Sequence, residues 1–189
     1  MKSKQITKLS LCALLSALCF IGFEYLRIDI PLPTGSTAIH FGNAFCVLAA
    51  LLLPGYYGYF AGAIGMTIAD LLNPLYVVSA PKTFILKLCI ALIVSTLVHK
   101  VGRIDKISDQ KEQMRWAILA SIAGMGFNII FDPLASFLYK NYLLGVEYSV
   151  AKVFAAWGAM STFVNAITSV IIACILFQIL YPRLKNKVN

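Results

Sequence analysis

Charge is what this chain is short of. Only 13% of its 189 residues are Asp, Glu, Lys or Arg, about half the share of an ordinary soluble domain. Acids are the rarer sign, eight against 16 Lys and Arg, and histidine is confined to His40 and His99. A histidine-based metal cluster is thereby excluded. The five cysteines, Cys12, Cys19, Cys46, Cys89 and Cys174, all fall in apolar runs and lack Cys-x-x-Cys spacing. They read as core thiols rather than disulfides or metal ligands. No Gly-x-x-x-x-Gly-Lys-Ser/Thr run occurs, so the chain has no phosphate loop with which to hydrolyse ATP in the usual way. Nothing in the sequence calls for a cofactor.

Apolar surface is what the chain has in plenty. Hydrophobic residues make up 60% of it, in runs too many and too long for one soluble core, which predicts a single all-α membrane domain over residues 1–189. The formal charge of +8 gathers at the two ends and in one loop. That pattern is a topology signal and not a nucleic-acid surface.

The N-terminal lysines and the run LSLCALLSALCFIGF imitate a secretory signal, but no small-x-small cleavage pattern follows before Glu24, so the run is read as the first transmembrane helix. On it Ser10, Ala13 and Ala17 recur at helical spacing, a small-residue stripe that lets another helix approach closely. Pro31, Pro33 and Gly35 then rule out a continuous helix, predicting an ordered proline-rich loop or a re-entrant segment. Phe41 to Leu53 is apolar but shorter than the about 20 residues of a perpendicular span.

The stretch from His40 to Lys87 organises the rest. Pro54-Gly55 joins two apolar runs, and Gly58, Gly62, Gly65 and Ala69 recur on one helical face, as close helix packing requires. Asp70 closes that helix, and a carboxylate there must be paired, wet or ligand-facing. Pro74 and Pro81 bracket the next loop. Lys82 and Lys87 are about 140° apart on a helix, which predicts that they do not share one pocket. Lys82 is expected to snorkel to the headgroups and Lys87 to pair internally.

The polar stretch from His99 to Arg115 is expected at the membrane face, followed by a fifth span from Trp116 that carries Asn128 and Asp132 on one face and kinks or ends just beyond Pro133. The segment from Tyr139 to Gly158, with Trp157, reads as a loop or interfacial segment. A last helix from about Met160 to Tyr181 places Ser161, Asn165, Thr168 and Ser169 on a polar stripe. The sum is a bundle of six transmembrane helices. Both termini then share the lysine-rich side with the polar loop, which the positive-inside rule assigns to the cytoplasm of a multi-pass protein in the cell membrane.

Several of these motifs together resemble the substrate-binding S components of energy-coupling-factor (ECF) vitamin transporters, in the branch for riboflavin, hydroxymethylpyrimidine and pyridoxine. They are Ala13-x-x-x-Ala17, Ile39-His40-Phe41-Gly42-Asn43, the Gly58 to Leu72 block with Ala69-Asp70-Leu71, Ala80-Pro81-Lys82-Thr83-Phe84 with Lys87, and Asn165. The resemblance implies a subunit without enzymatic activity that binds a vitamin or its precursor near the extracellular face, beneath the loop after helix one. It also implies docking through Ala13 and Ala17 on a transmembrane coupling subunit driven by two cytoplasmic ATPases. The candidate substrate contacts are His40, Asn43, Asp70, Lys82, Lys87, Asn128, Asp132, Trp157 and Asn165. Two other classes stay open: a carrier working alone on an ion gradient, against which stands the lack of an internal repeat, and an intramembrane enzyme, for which no nucleophile–base set is visible.

Overall fold

The computed structural model describes residues 2–32 and 35–188. Helix α1 (Lys2–Glu24) leads into strands β1 (Arg27–Leu32) and β2 (Gly35–His40), followed by α2 (Gly42–Leu52), α3 (Tyr56–Leu72), α4 (Ala80–Ser95), α5 (Gln110–Leu138) and α6 (Tyr148–Val188). Short π-helical turns extend α4 through Thr96–Val101 and α5 through Tyr139–Leu143.

Where an ordered proline-rich loop or a re-entrant segment is expected, the structure has a two-stranded antiparallel hairpin, with Arg27 opposite His40 and Pro31 opposite Ser36. Its strands carry Ile28, Ile30, Thr37 and Ile39, side chains that suit a pleated ribbon. Pro31 is tolerated because a two-stranded sheet consists only of edges. Pro33 lies outside the described residues.

Among the described residues, four helical stretches are long and apolar enough to cross a membrane: Lys4–Glu24, Val77–Val101, Gln110–Leu143 and Tyr148–Val188. Helix α3 has 17 residues and α2 only 11, a rise of about 16 Å against a hydrocarbon core of about 30 Å. Ten of the 11 residues of α2 are buried, so it forms the interior post around which the longer helices stand.

Two helices depart from the expected boundaries. The last begins at Tyr148, not near Met160, which makes most of the presumed interfacial segment helical. The turn is made earlier, at Gly145, whose φ of +66° lies in the left-handed region, and no proline follows until Pro182. Helix α5 also runs through Pro133 to Leu138.

The glycine face of α3 does what close packing demands. A Cβ on Gly62 would strike Cys46 of α2, and one on Gly65 would strike the backbone carbonyl of Ser16 in α1. Helix α3 therefore wedges between two neighbours at backbone distance. All five cysteines are free, three of them buried.

Candidate binding site

Because successive helices run in opposite directions, one end of the bundle collects the start of α2, the end of α3, the start of α4, the end of α5 and the first half of α6. Their polar residues line a cavity of about 100 Å³ beneath the hairpin. That is less than the about 300–1,000 Å³ of a cleft for a drug-sized ligand, so a ligand here is small or pushes the lining outward.

The cavity is roofed by β2. Asn165 of α6 holds the hairpin with both ends of its amide: Oδ1 accepts from the His40 backbone N–H at 2.8 Å, and Nδ2 donates to the Ala38 carbonyl at 2.9 Å. Thr37 and Ser161 share a hydroxyl hydrogen bond of 2.7 Å beside it. On the opposite flank Arg27 pairs with Glu24 at 3.0 Å and Asp29 at 3.1 Å, and Asn73 donates to Glu24. The Tyr76 hydroxyl donates to Asp29 at 2.7 Å and shares a hydroxyl hydrogen bond of 3.0 Å with Ser36. Burial pushes the Tyr76 phenol well above its ordinary range, so it acts as a donor here. The hairpin is thus tied to α6 on one side and to the ends of α1 and α3 on the other.

Under the roof, Lys82 reaches across from α4 to α5. Its Nζ donates to Asp132 Oδ1 at 3.0 Å and to Ser136 at 2.7 Å, while Thr162 of α6 donates to Asp132 Oδ2 at 2.9 Å. Three helices are thereby joined through one carboxylate. This overturns the snorkelling expectation for Lys82, and also the expectation that Lys82 and Lys87 face different ways. Both line the cavity, because a lysine stem is long enough to offset the angular separation of the two Cα positions. Lys87 is 6% exposed, and among the described residues its ammonium makes no ion pair within 4 Å.

His40, Asn43 and Asp70 complete the wall. The His40 ring packs edge-on against Phe23 at 4.5 Å. Burial, with Lys87 adding to it and Asp132 opposing, lowers its pKa from 6.5 to about 3, so the imidazole is neutral. Its Nδ1, the Asn43 Oδ1 and both Asp70 oxygens are buried without a hydrogen bond of good geometry, although the Thr83 hydroxyl lies within interaction range of Asp70.

Two candidates fall outside the lining. Trp157 is 43% exposed, roughly a quarter turn from the centre of the face on which Phe154, Gly158, Ser161 and Asn165 meet the cavity. Asn128 lies one turn below Asp132, 1% exposed, with both amide atoms unpartnered. Sequence reasoning missed Tyr76, Ser136 and Thr162. A signal existed for Ser136, one further turn along the Asn128–Asp132 face.

A second feature lies on the flank. Ala13 and Ala17, both exposed, floor an apolar groove of about 540 Å³ between α1 and α3, with Ile64, Gly65 and Ile68 on its far wall. Small residues on both helices make the groove.

A family model described as "ECF-type riboflavin transporter, S component" matches residues 3–182. The chain belongs to that family. It is accordingly an S component of a transporter, a multi-pass membrane protein and not an enzyme. Among solved structures, the S component for biotin from an ECF-type ABC transporter has a similar fold, with a TM-score of 0.61, 17% identity, and coverage of 96% of this chain and 98% of that one. No curated protein matches this S component in sequence.

Proposed function

We propose that this S component captures a small water-soluble vitamin or vitamin precursor at the extracellular side and delivers it through an ATP-driven complex. The observation that carries the reading is the polar cavity, built at one end of an otherwise apolar bundle and roofed by a hydrogen-bonded hairpin. Buried charges in a membrane bundle mark a ligand path, and no phosphate loop occurs in the sequence to power transport. Six crossings, with α2 and α3 as the short ones, put both termini and the Lys100 to Arg115 loop in the cytoplasm and the hairpin outside.

The energy then comes from a membrane-embedded coupling subunit and two cytoplasmic ATPases. The exposed Ala13–Ala17 groove is the surface that a coupling helix can approach closely. The test is uptake into proteoliposomes. ATP-dependent uptake that needs all partners, is abolished by Ala13→Trp, and leaves ligand binding by the isolated chain intact, is expected. Uptake by this chain alone on an ion gradient would establish a secondary carrier instead.

A further inference from the structure

Near the inner end of α2, Ala50 has a carbonyl that its own helix cannot serve. In an α-helix that oxygen accepts from the N–H four residues on, and four residues on is Pro54, which has none. The carbonyl before it, that of Ala49, is met in the usual way by the Leu53 N–H at 2.9 Å. Ala50, Leu51, Leu52 and Leu53 are all buried, so bulk water does not reach the Ala50 oxygen, and a buried main-chain carbonyl calls for a partner. The donor comes from another helix. His99 stands in the π-helical turn Thr96–Val101 that extends α4, and its Nε2 lies 3.2 Å from the Ala50 oxygen. A carbonyl only accepts, so Nε2 carries the proton. The imidazole replaces the amide that Pro54 lacks.

What His99 holds is one wall of the cavity. Asn43 lines the cavity at the outer end of the same helix, about 10 Å along the axis from Ala50. Between the two, the Cys46 thiol points at the Lys87 carbonyl of α4, 3.9 Å away. Helix α4 itself brings Lys82, Thr83 and Lys87 to the cavity. Once α2 is fastened to α4 at its inner end, Asn43 and these side chains keep one spacing. We infer that His99 is a positioning residue for the cavity: by completing the inner end of α2, it sets the height and rotation at which Asn43 faces the side chains of α4. That the cavity binds a ligand is the function proposed above, on which the term positioning rests; the tether itself does not depend on it.

The experiment follows labelling by N-ethylmaleimide of the full chain in detergent. Three chains, each with a single thiol, carry native Cys46, native Cys174 or the substitution Asn43→Cys, with the other cysteines changed to alanine. His99→Leu keeps the bulk and loses the donor. It should speed labelling at Cys46 by about tenfold, change the rate at Asn43→Cys by about threefold or more, and leave Cys174, which sits between α5 and α6, within about twofold. Two changes should each return the Cys46 rate to near its native value: His99→Gln, whose side-chain amide donates as the imidazole does, and Pro54→Ala added to His99→Leu, which gives the N–H back to the chain. Rescue by either separates a missing hydrogen bond from lost packing. A native Cys46 rate in His99→Leu, equal acceleration at all three thiols, an unmoved Asn43→Cys rate, or rescue by neither change each overturns the inference. If His99→Leu does not fold, recovery of folded protein on adding Pro54→Ala supports the inference and its failure overturns it. None of these rates needs a ligand, so a negative result leaves the proposed function standing.

Discussion

Replacing Asn165 by Ala removes the clasp between α6 and the hairpin, and the structure says how much that is worth. Two buried hydrogen bonds, of 2.8 and 2.9 Å, disappear. If the hairpin stayed closed, the His40 N–H and the Ala38 carbonyl would each remain buried and unpaired, at about 1–3 kcal/mol apiece. Opening the hairpin lets water satisfy both groups, so the smaller net value of about 1 kcal/mol per bond applies. The closed form then loses about 2 kcal/mol relative to the open one, roughly a 30-fold change in the opening equilibrium. Hydrogen–deuterium exchange of the peptide covering residues 27–41 reads this directly, with about 30-fold faster exchange expected while the helical peptides stay unchanged. Asn165→Asp keeps the acceptor for His40 but sets a carboxylate oxygen against the Ala38 carbonyl, so it should open the hairpin at least as far as Asn165→Ala. Exchange within about twofold of the native protein would refute the reasoning and show that the network of Glu24, Arg27, Asp29 and Tyr76 holds the hairpin alone.

Single cysteines at Ile28 and Ser108, both exposed positions, placed in a chain stripped of native thiols, should react oppositely with a membrane-impermeant reagent in intact cells. Ile28→Cys is expected to label and Ser108→Cys not to, and the reverse overturns the orientation. Gly65→Val drives a side chain into the Ser16 carbonyl and should lower stability by about 1–3 kcal/mol, seen as earlier thermal unfolding; an unchanged melting temperature would mean that α1 and α3 separate freely. The neutral His40 sets a pH dependence. Its folded pKa of about 3 lies below the unfolded value of about 6.5, so the unfolded chain takes up the proton first and stability falls as pH drops below about 6.5. The loss reaches about 2 kcal/mol by pH 5, and His40→Gln should flatten that part of the curve in pH-dependent unfolding.

The parts of this molecule that the sequence announced are those governed by local rules. Apolar run length marked the long helices, and the glycine spacing of α3 implied the backbone approach that Ser16 and Cys46 display. Seven of the nine candidate contacts line one cavity, because buried charges and amides in lipid have few other uses. What stayed hidden depends on partners far along the chain. The hairpin's short strands carry prolines that read as a loop, and only the pairing of Arg27 with His40 discloses otherwise. Asn165 lines the cavity as expected of a ligand contact, but that both ends of its amide also go to the backbone of residues over a hundred positions away is not visible in the sequence. The angle between their Cα positions sets Lys82 and Lys87 apart in the sequence, while the length of the Lys82 stem carries its ammonium to Asp132.

The burial of α2 has a consequence for how the chain is made. A membrane helix leaving the ribosome is ordinarily released sideways into lipid, which requires a length near that of the bilayer and a face that lipid can wet. With 11 residues α2 lacks the length, and ten of those residues are covered by the rest of the protein. In the folded protein it is surrounded by other helices, and one of these, α6, which supplies the Asn165 clasp beside it, is the last to be synthesised. The packing of α2 is therefore completed only after α6 has been made, so the interior of the bundle closes last.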